Sequence, residues 1–102
     1  MKNGRRDGNH AEIRDVLRLV PGCRVFDAAD VGQGFPDLVV GFMGRIYLLE
    51  VKDGSLPPSK RKLTAAEKRF HVAWDLLPVY VVESVDDALV TIGVAVDDPP
   101  PF

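Results

Sequence analysis

The spacing of apolar positions changes several times along this chain, and each change marks an element. Ile13, Val16, Leu17 and Val20 recur at the i, i+3, i+4, i+7 spacing of a buried helical stripe, closed by Pro21 and Gly22. Asn9 precedes them, with Glu12 at the third helical position, in the form of an N-cap whose acid reaches back to the cap backbone. Residues 23–28, with Val25 and Phe26, predict a strand. The glycine-bearing loop 31–35 leads to a second strand over 36–40, and a turn at 41–44 leads to a third over 45–52. Alternation in this third strand places Ile46, Leu48, Glu50 and Lys52 on one face and Tyr47, Leu49 and Val51 on the other.

Beyond a proline-containing loop at 53–59, Thr64 and Glu67 form a capping box. Phe70, Ala73, Trp74 and Leu77 continue it as a helical stripe that ends at Pro78. The β-branched run 79–82 reads as a strand covered on both faces. Ser84 then caps a third helix, with Asp86 and Asp87 in its first turn and Ala88, Leu89 and Ile92 facing inward. The order α-β-β-β-α-β-α predicts an α/β domain with a mixed sheet flanked by helices. The domain is placed at 9–96, after a flexible basic arm at 1–8 and before a proline-rich tail at 97–102.

Composition narrows this picture only modestly. The length suits one core, and no stretch approaches the ~20 apolar residues of a membrane span. With no apolar segment resembling a signal peptide, the expectation is a soluble, intracellular protein with no membrane partner. The single cysteine, Cys23, rules out an internal disulfide framework and a cysteine-based zinc site, and reads as a small buried hydrophobe. Charge is unevenly spread. All 13 lysines and arginines fall between Lys2 and Arg69, whereas the last quarter carries acids alone. A cationic surface for phosphates therefore fits the first three quarters, as does a solvated mixed-charge surface.

The chemistry lies in G-F-P-D-L-V-V-G-F-M-G-R-I-Y-L-L-E-V-K, residues 34–52. A hairpin sets Asp37, at the start of one strand, beside Glu50 and Lys52, at the end of the next. Glu50 and Lys52 share a face with the apolar Ile46 and Leu48, so the two charges there need a reason. Two carboxylates and the Val51 carbonyl suffice for Mg²⁺, which keeps several of its waters. Such an ion neutralises charge on a phosphodiester under attack and generates a nucleophile near neutral pH. Lys52 then orients or deprotonates water, or holds the phosphate. A solvated Glu–Lys pair and a turn-initiating Asp are the plainer alternatives.

P-D followed by E-V-K resembles the PD-(D/E)XK nuclease superfamily. The wider pattern is similar to its small VRR-Nuc-type, Holliday-junction-resolvase-like members, common in phage and bacterial genomes. The likeness extends to the helix bearing Glu12, to R-K-L-T-A-A-E-K-R-F-H and to V-V-E-S-V-D-D-A-L. It implies a restriction-endonuclease-like fold, Mg²⁺ or Mn²⁺ as cofactor, no organic cofactor, and hydrolysis of branched or structured DNA by a homodimer, in the cytoplasm of a bacterial cell or a phage-infected host. It also implies that Asp37 and Glu50 bind the metal, that Lys52 is catalytic, and that Glu12 completes the site. Glu67 departs from it, standing where many relatives carry Gln. Lys60, Arg61 and Lys62, with Arg5 and Arg6 on the arm, are candidates for DNA phosphate contacts, and His71 is a candidate for the cleft. The alternative function is a non-catalytic nucleic-acid-binding or assembly module on the same fold.

Overall fold

A computed structural model of the chain describes residues 7–94. Residues 1–6 of the arm, with Arg5 and Arg6, and the segment from 95 onward, with the whole of the tail, lie outside the described residues. The elements are α1 (His10–Leu19), β1 (Arg24–Asp27), β2 (Leu38–Phe42), β3 (Arg45–Val51), a short 3-10 turn (Pro58–Lys60), α2 (Ala65–Ala73), β4 (Val79–Val82) and α3 (Val85–Thr91). They form a mixed α/β fold with a four-stranded mixed sheet and three α-helices. Its strand order is β1-β2-β3-β4, antiparallel across the first three strands and parallel between β3 and β4.

The β2–β3 hairpin fixes the register on which the site depends. Phe42 pairs with Arg45, leaving Met43 and Gly44 as a two-residue turn, both at positive φ (52° and 78°). That turn suits the right-handed twist of the strands. From it the pairing runs back to Leu38 against Leu49, which brings Asp37 alongside the Glu50–Val51 end of β3.

Alternation sends Leu38, Val40, Leu49, Val51 and Val82 into one core with Ile13 and Leu17 of α1 and Ala88 and Ile92 of α3. Cys23 joins that core and is buried as its composition suggests. The helix caps show where local reading suffices. Thr64 and Glu67 form the reciprocal capping box of α2, and Ser84 accepts the Asp87 N–H at the start of α3. Asn9 precedes α1 as expected but makes no side-chain cap bond. Its amide instead donates to the carbonyls of Lys52 and Glu83, both at 3.1 Å, tying together the chain just beyond β3 and β4.

The opposite face of the sheet is covered only in part: Phe26 and Ile46 are exposed there, whereas Glu50 and Lys52 are buried. β4 is an edge strand with Tyr80 and Val81 exposed, not one covered on both sides. The α2 stripe closes no core either: none of its residues is buried, and Leu77 is exposed. Phe70 packs instead between Phe35, edge-on at 5.4 Å, and Trp74, stacked at 4.9 Å. Periodicity marks which residues share a helix face, but it does not say how closely a neighbour approaches.

Candidate active site

The site forms where β2 begins and β3 ends. Asp37 is locked there from both sides of its backbone. Its N–H donates to Leu49 O at 2.9 Å and its C=O accepts from Ala28 at 2.8 Å. Its carboxylate Oδ2 takes the Val51 N–H at 2.8 Å, continuing the ladder by one rung with a side chain. In an extended strand the N–H and C=O of one residue leave on the same side, so the Val51 carbonyl is directed toward Asp37. The next residue looks the other way, its N–H bonding to Val82 O at 2.9 Å.

Glu50 is 1% exposed, although its neighbours on that face are not all covered. Its Oε1 is buried and meets no hydrogen-bond donor. Burial first, and then the carboxylates of Asp37 and Glu67 within hydrogen-bonding reach, push its carboxyl up to about 10. Lys52 is buried on the same face, and its Nζ pairs with Glu67 Oε1 at 2.9 Å. Burial works against that ammonium, but Glu67, Glu50 and Asp7 outweigh it and hold Lys52 above the ordinary lysine range. Glu67 is correspondingly held below the usual carboxylate range: burial opposes this, and the Thr64 N–H and Lys52 overcome it.

The structure therefore brings Asp37, Glu50, Val51 and Lys52 together and adds Glu67. It does not add Glu12. That residue is exposed and lines a polar groove with Asn9, Asp53, Ser55, Glu83 and Asp86. The reason is His10, which is 1% exposed and held by Asp27 at 3.1 Å, so that the buried stripe of α1 runs through His10, Ile13 and Leu17. Including His10 rotates the buried face away from Glu12.

The acid that approaches from the N-terminal side is Asp7, just ahead of α1. It is raised above its ordinary range chiefly by burial and acted on by Lys52, Asp37 and Glu67. No periodic signal marks Asp7, because it precedes the helix. Of the cations beyond the site, Lys60 and Lys62 are exposed, whereas Arg61 donates to Glu83 at 3.1 Å. His71 is half-buried, with Nε2 meeting no partner.

Among the described residues, no group of three or more His, Cys, Asp or Glu side chains is arranged to enclose a cation. An ion at this place would rest on Asp37, Glu50 and the Val51 carbonyl, a donor set of hard oxygens that suits Mg²⁺ or Mn²⁺ and leaves room for water. The fit is supported by the orphaned Glu50 Oε1, since a buried carboxylate oxygen without a partner is costly. No family model, curated protein or solved structure matches the chain. Among the described residues, no helix is long and apolar enough to cross a membrane.

Proposed function

We propose that this chain is a divalent-metal-dependent endonuclease that hydrolyses DNA phosphodiester bonds, selective for branched or otherwise structured DNA and acting as a homodimer on a restriction-endonuclease-like fold. The observation that carries the reading is Glu50, a fully buried carboxylate beside Asp37 with one oxygen unpartnered. A group so placed destabilises the fold unless a cation or a proton answers it. Proteins retain such strain where a site needs it.

Asp37 and Glu50 would hold the ion through their carboxylates, and Val51 would offer its carbonyl. When bound, Mg²⁺ or Mn²⁺ neutralises charge on the phosphate and makes water acidic enough to attack. Asp37 keeps its place through the Val51 N–H, so its free oxygen is presented without a rotamer search. Lys52 carries an ammonium beside Glu50 and serves as donor to the attacking water or the scissile phosphate. Lys60 and Lys62, with Arg5 and Arg6, supply the sequence-independent grip on the backbone.

The test is incubation of the purified protein with linear, nicked, flap and four-way DNA, with and without Mg²⁺ or Mn²⁺, alongside Asp37→Ala and Lys52→Ala. Metal-dependent cleavage that both substitutions abolish is the expected result. Cleavage retained in both would sink the assignment. The second reading, a non-catalytic nucleic-acid-binding module, is favoured by one observation: Lys52 is already engaged by Glu67. It requires DNA binding that ignores both the metal and Glu50→Gln.

A further inference from the structure

Glu67 has two attachments, one local and one across the fold. Its Oε1 accepts the Thr64 N–H at 2.8 Å while its own N–H donates to Thr64 Oγ1 at 3.1 Å, the two halves of the α2 capping box. The same Oε1 takes the Lys52 ammonium. The turn that carries it is seated against the 32–34 loop so closely that a Cβ on Gly34 would collide with the Ala66 carbonyl. So the carboxylate is fixed by its own helix, and the helix start is fixed by a glycine loop.

A lysine side chain is long and flexible, and its ammonium wanders unless something holds it. Buried beside Glu50 and Asp7, this ammonium has more than one acid to choose from. The acid that makes its hydrogen bond is the one already held by the Thr64 N–H of its own helix start. We propose that Glu67 is a positioning residue for Lys52: the capping box sets the carboxylate, and the carboxylate sets the ammonium beside Glu50. The chemistry this serves rests on the nuclease reading, whereas the ordering of Lys52 stands independently of it.

Glu67→Gln separates the two attachments, since Gln completes a capping box as Glu does but carries no charge. Thr64→Ala does the reverse: it removes the Oγ1 half of the cap and leaves both the Thr64 N–H that holds the Glu67 carboxylate and the ion pair. The readout is the ¹⁵N signal of the Lys52 ammonium, visible when its hydrogens exchange slowly with water. The wild-type protein should show it. Glu67→Gln should accelerate that exchange at least tenfold, and Thr64→Ala should lower the melting temperature and keep the signal. Glu67→Asp, a second variant that retains the charge but shortens its reach, should give an intermediate rate.

Under Mg²⁺ with DNA, Glu67→Gln should lower kcat at least tenfold with KM within threefold, and Thr64→Ala should leave kcat within twofold. Ammonium exchange unaltered in Glu67→Gln and Glu67→Asp overturns the proposal, as does an equal loss of kcat in Glu67→Gln and Thr64→Ala. Should the wild type cleave no DNA with either metal, the nuclease reading falls, and ammonium exchange alone decides the role of Glu67.

Discussion

The Asp37 carboxylate accepts the Val51 N–H at 2.8 Å, so one side chain both extends a strand ladder and stands beside the buried Glu50. The two duties separate by substitution. Asn retains an oxygen acceptor and loses the charge, whereas Ala loses both. Asp37→Asn should therefore stay within about 0.5 kcal/mol of the wild type in denaturant unfolding, and Asp37→Ala should lose about 1–2 kcal/mol, the cost of an unmade buried bond. Both should abolish Mg²⁺ binding by calorimetry. Full Mg²⁺ affinity in either would remove Asp37 from the site.

Glu50 should show the opposite relation between stability and function. Its folded-state carboxyl is raised from 4.5 to about 10. Its stabilising contribution is therefore complete below pH ~4.5 and declines as pH rises toward 10, because the unfolded chain ionises it freely while the fold does not. At pH 7, without divalent ions, Glu50→Gln should raise the melting temperature by roughly 4–8 °C, the shift that about 1 kcal/mol produces in a domain of this size. Mg²⁺ should stabilise the wild type and not the variant. A variant less stable than the wild type at pH 7, measured in chelator, would refute the account.

Two glycines at nearly the same φ test the seating of α2. Gly34 (φ 80°) abuts the Ala66 carbonyl, while Gly44 (φ 78°) has nothing within 4 Å of a built Cβ. Gly44→Ala should cost about 1–2 kcal/mol, the left-handed penalty alone. Gly34→Ala should cost more than that, since α2 must also shift, and should disturb the Lys52–Glu67 pair. Equal losses in urea unfolding would show that the close approach carries no weight.

Acid should act in part through Asp27. Burial opposes its ionisation, but the Ala29 N–H, Arg14 and His10 hold it down to about 2, from 3.8. Its contribution is present above pH ~4 and is lost as pH falls from there toward 2. Asp27→Asn should flatten the decline of melting temperature across that window. An unchanged slope would mean that the His10–Asp27 contact does not secure α1 to β1.

The reach of the sequence is clearest at the two ends of the site. A period of two in 45–52 was enough to put Lys52 on the Glu50 face, and a hairpin was enough to bring Asp37 to that end of β3, because strand alternation is a local rule; the turn expected at 41–44 narrows to Met43 and Gly44, and that narrowing sets the register opposite Glu50. The capping box at Thr64 and the cap at Ser84 were legible for the same reason. Glu12 was misplaced because the buried stripe of α1 is completed by His10, a polar residue whose burial depends on Asp27, 17 positions away. Asn9 looked like a cap and is instead a clamp on the carbonyls of Lys52 and Glu83.

What the sequence determined alone, then, is the hairpin and the three groups it aligns, since each follows from spacing within one element or across one turn. What the tertiary structure decided is who stands around them. Glu67 reaches Lys52 only because α2 is seated on the Gly34 loop, Asp7 arrives from ahead of α1, and Glu12 faces a different groove. Those placements depend on how helices pack against a sheet, a long-range outcome of burial and backbone approach that no local period encodes.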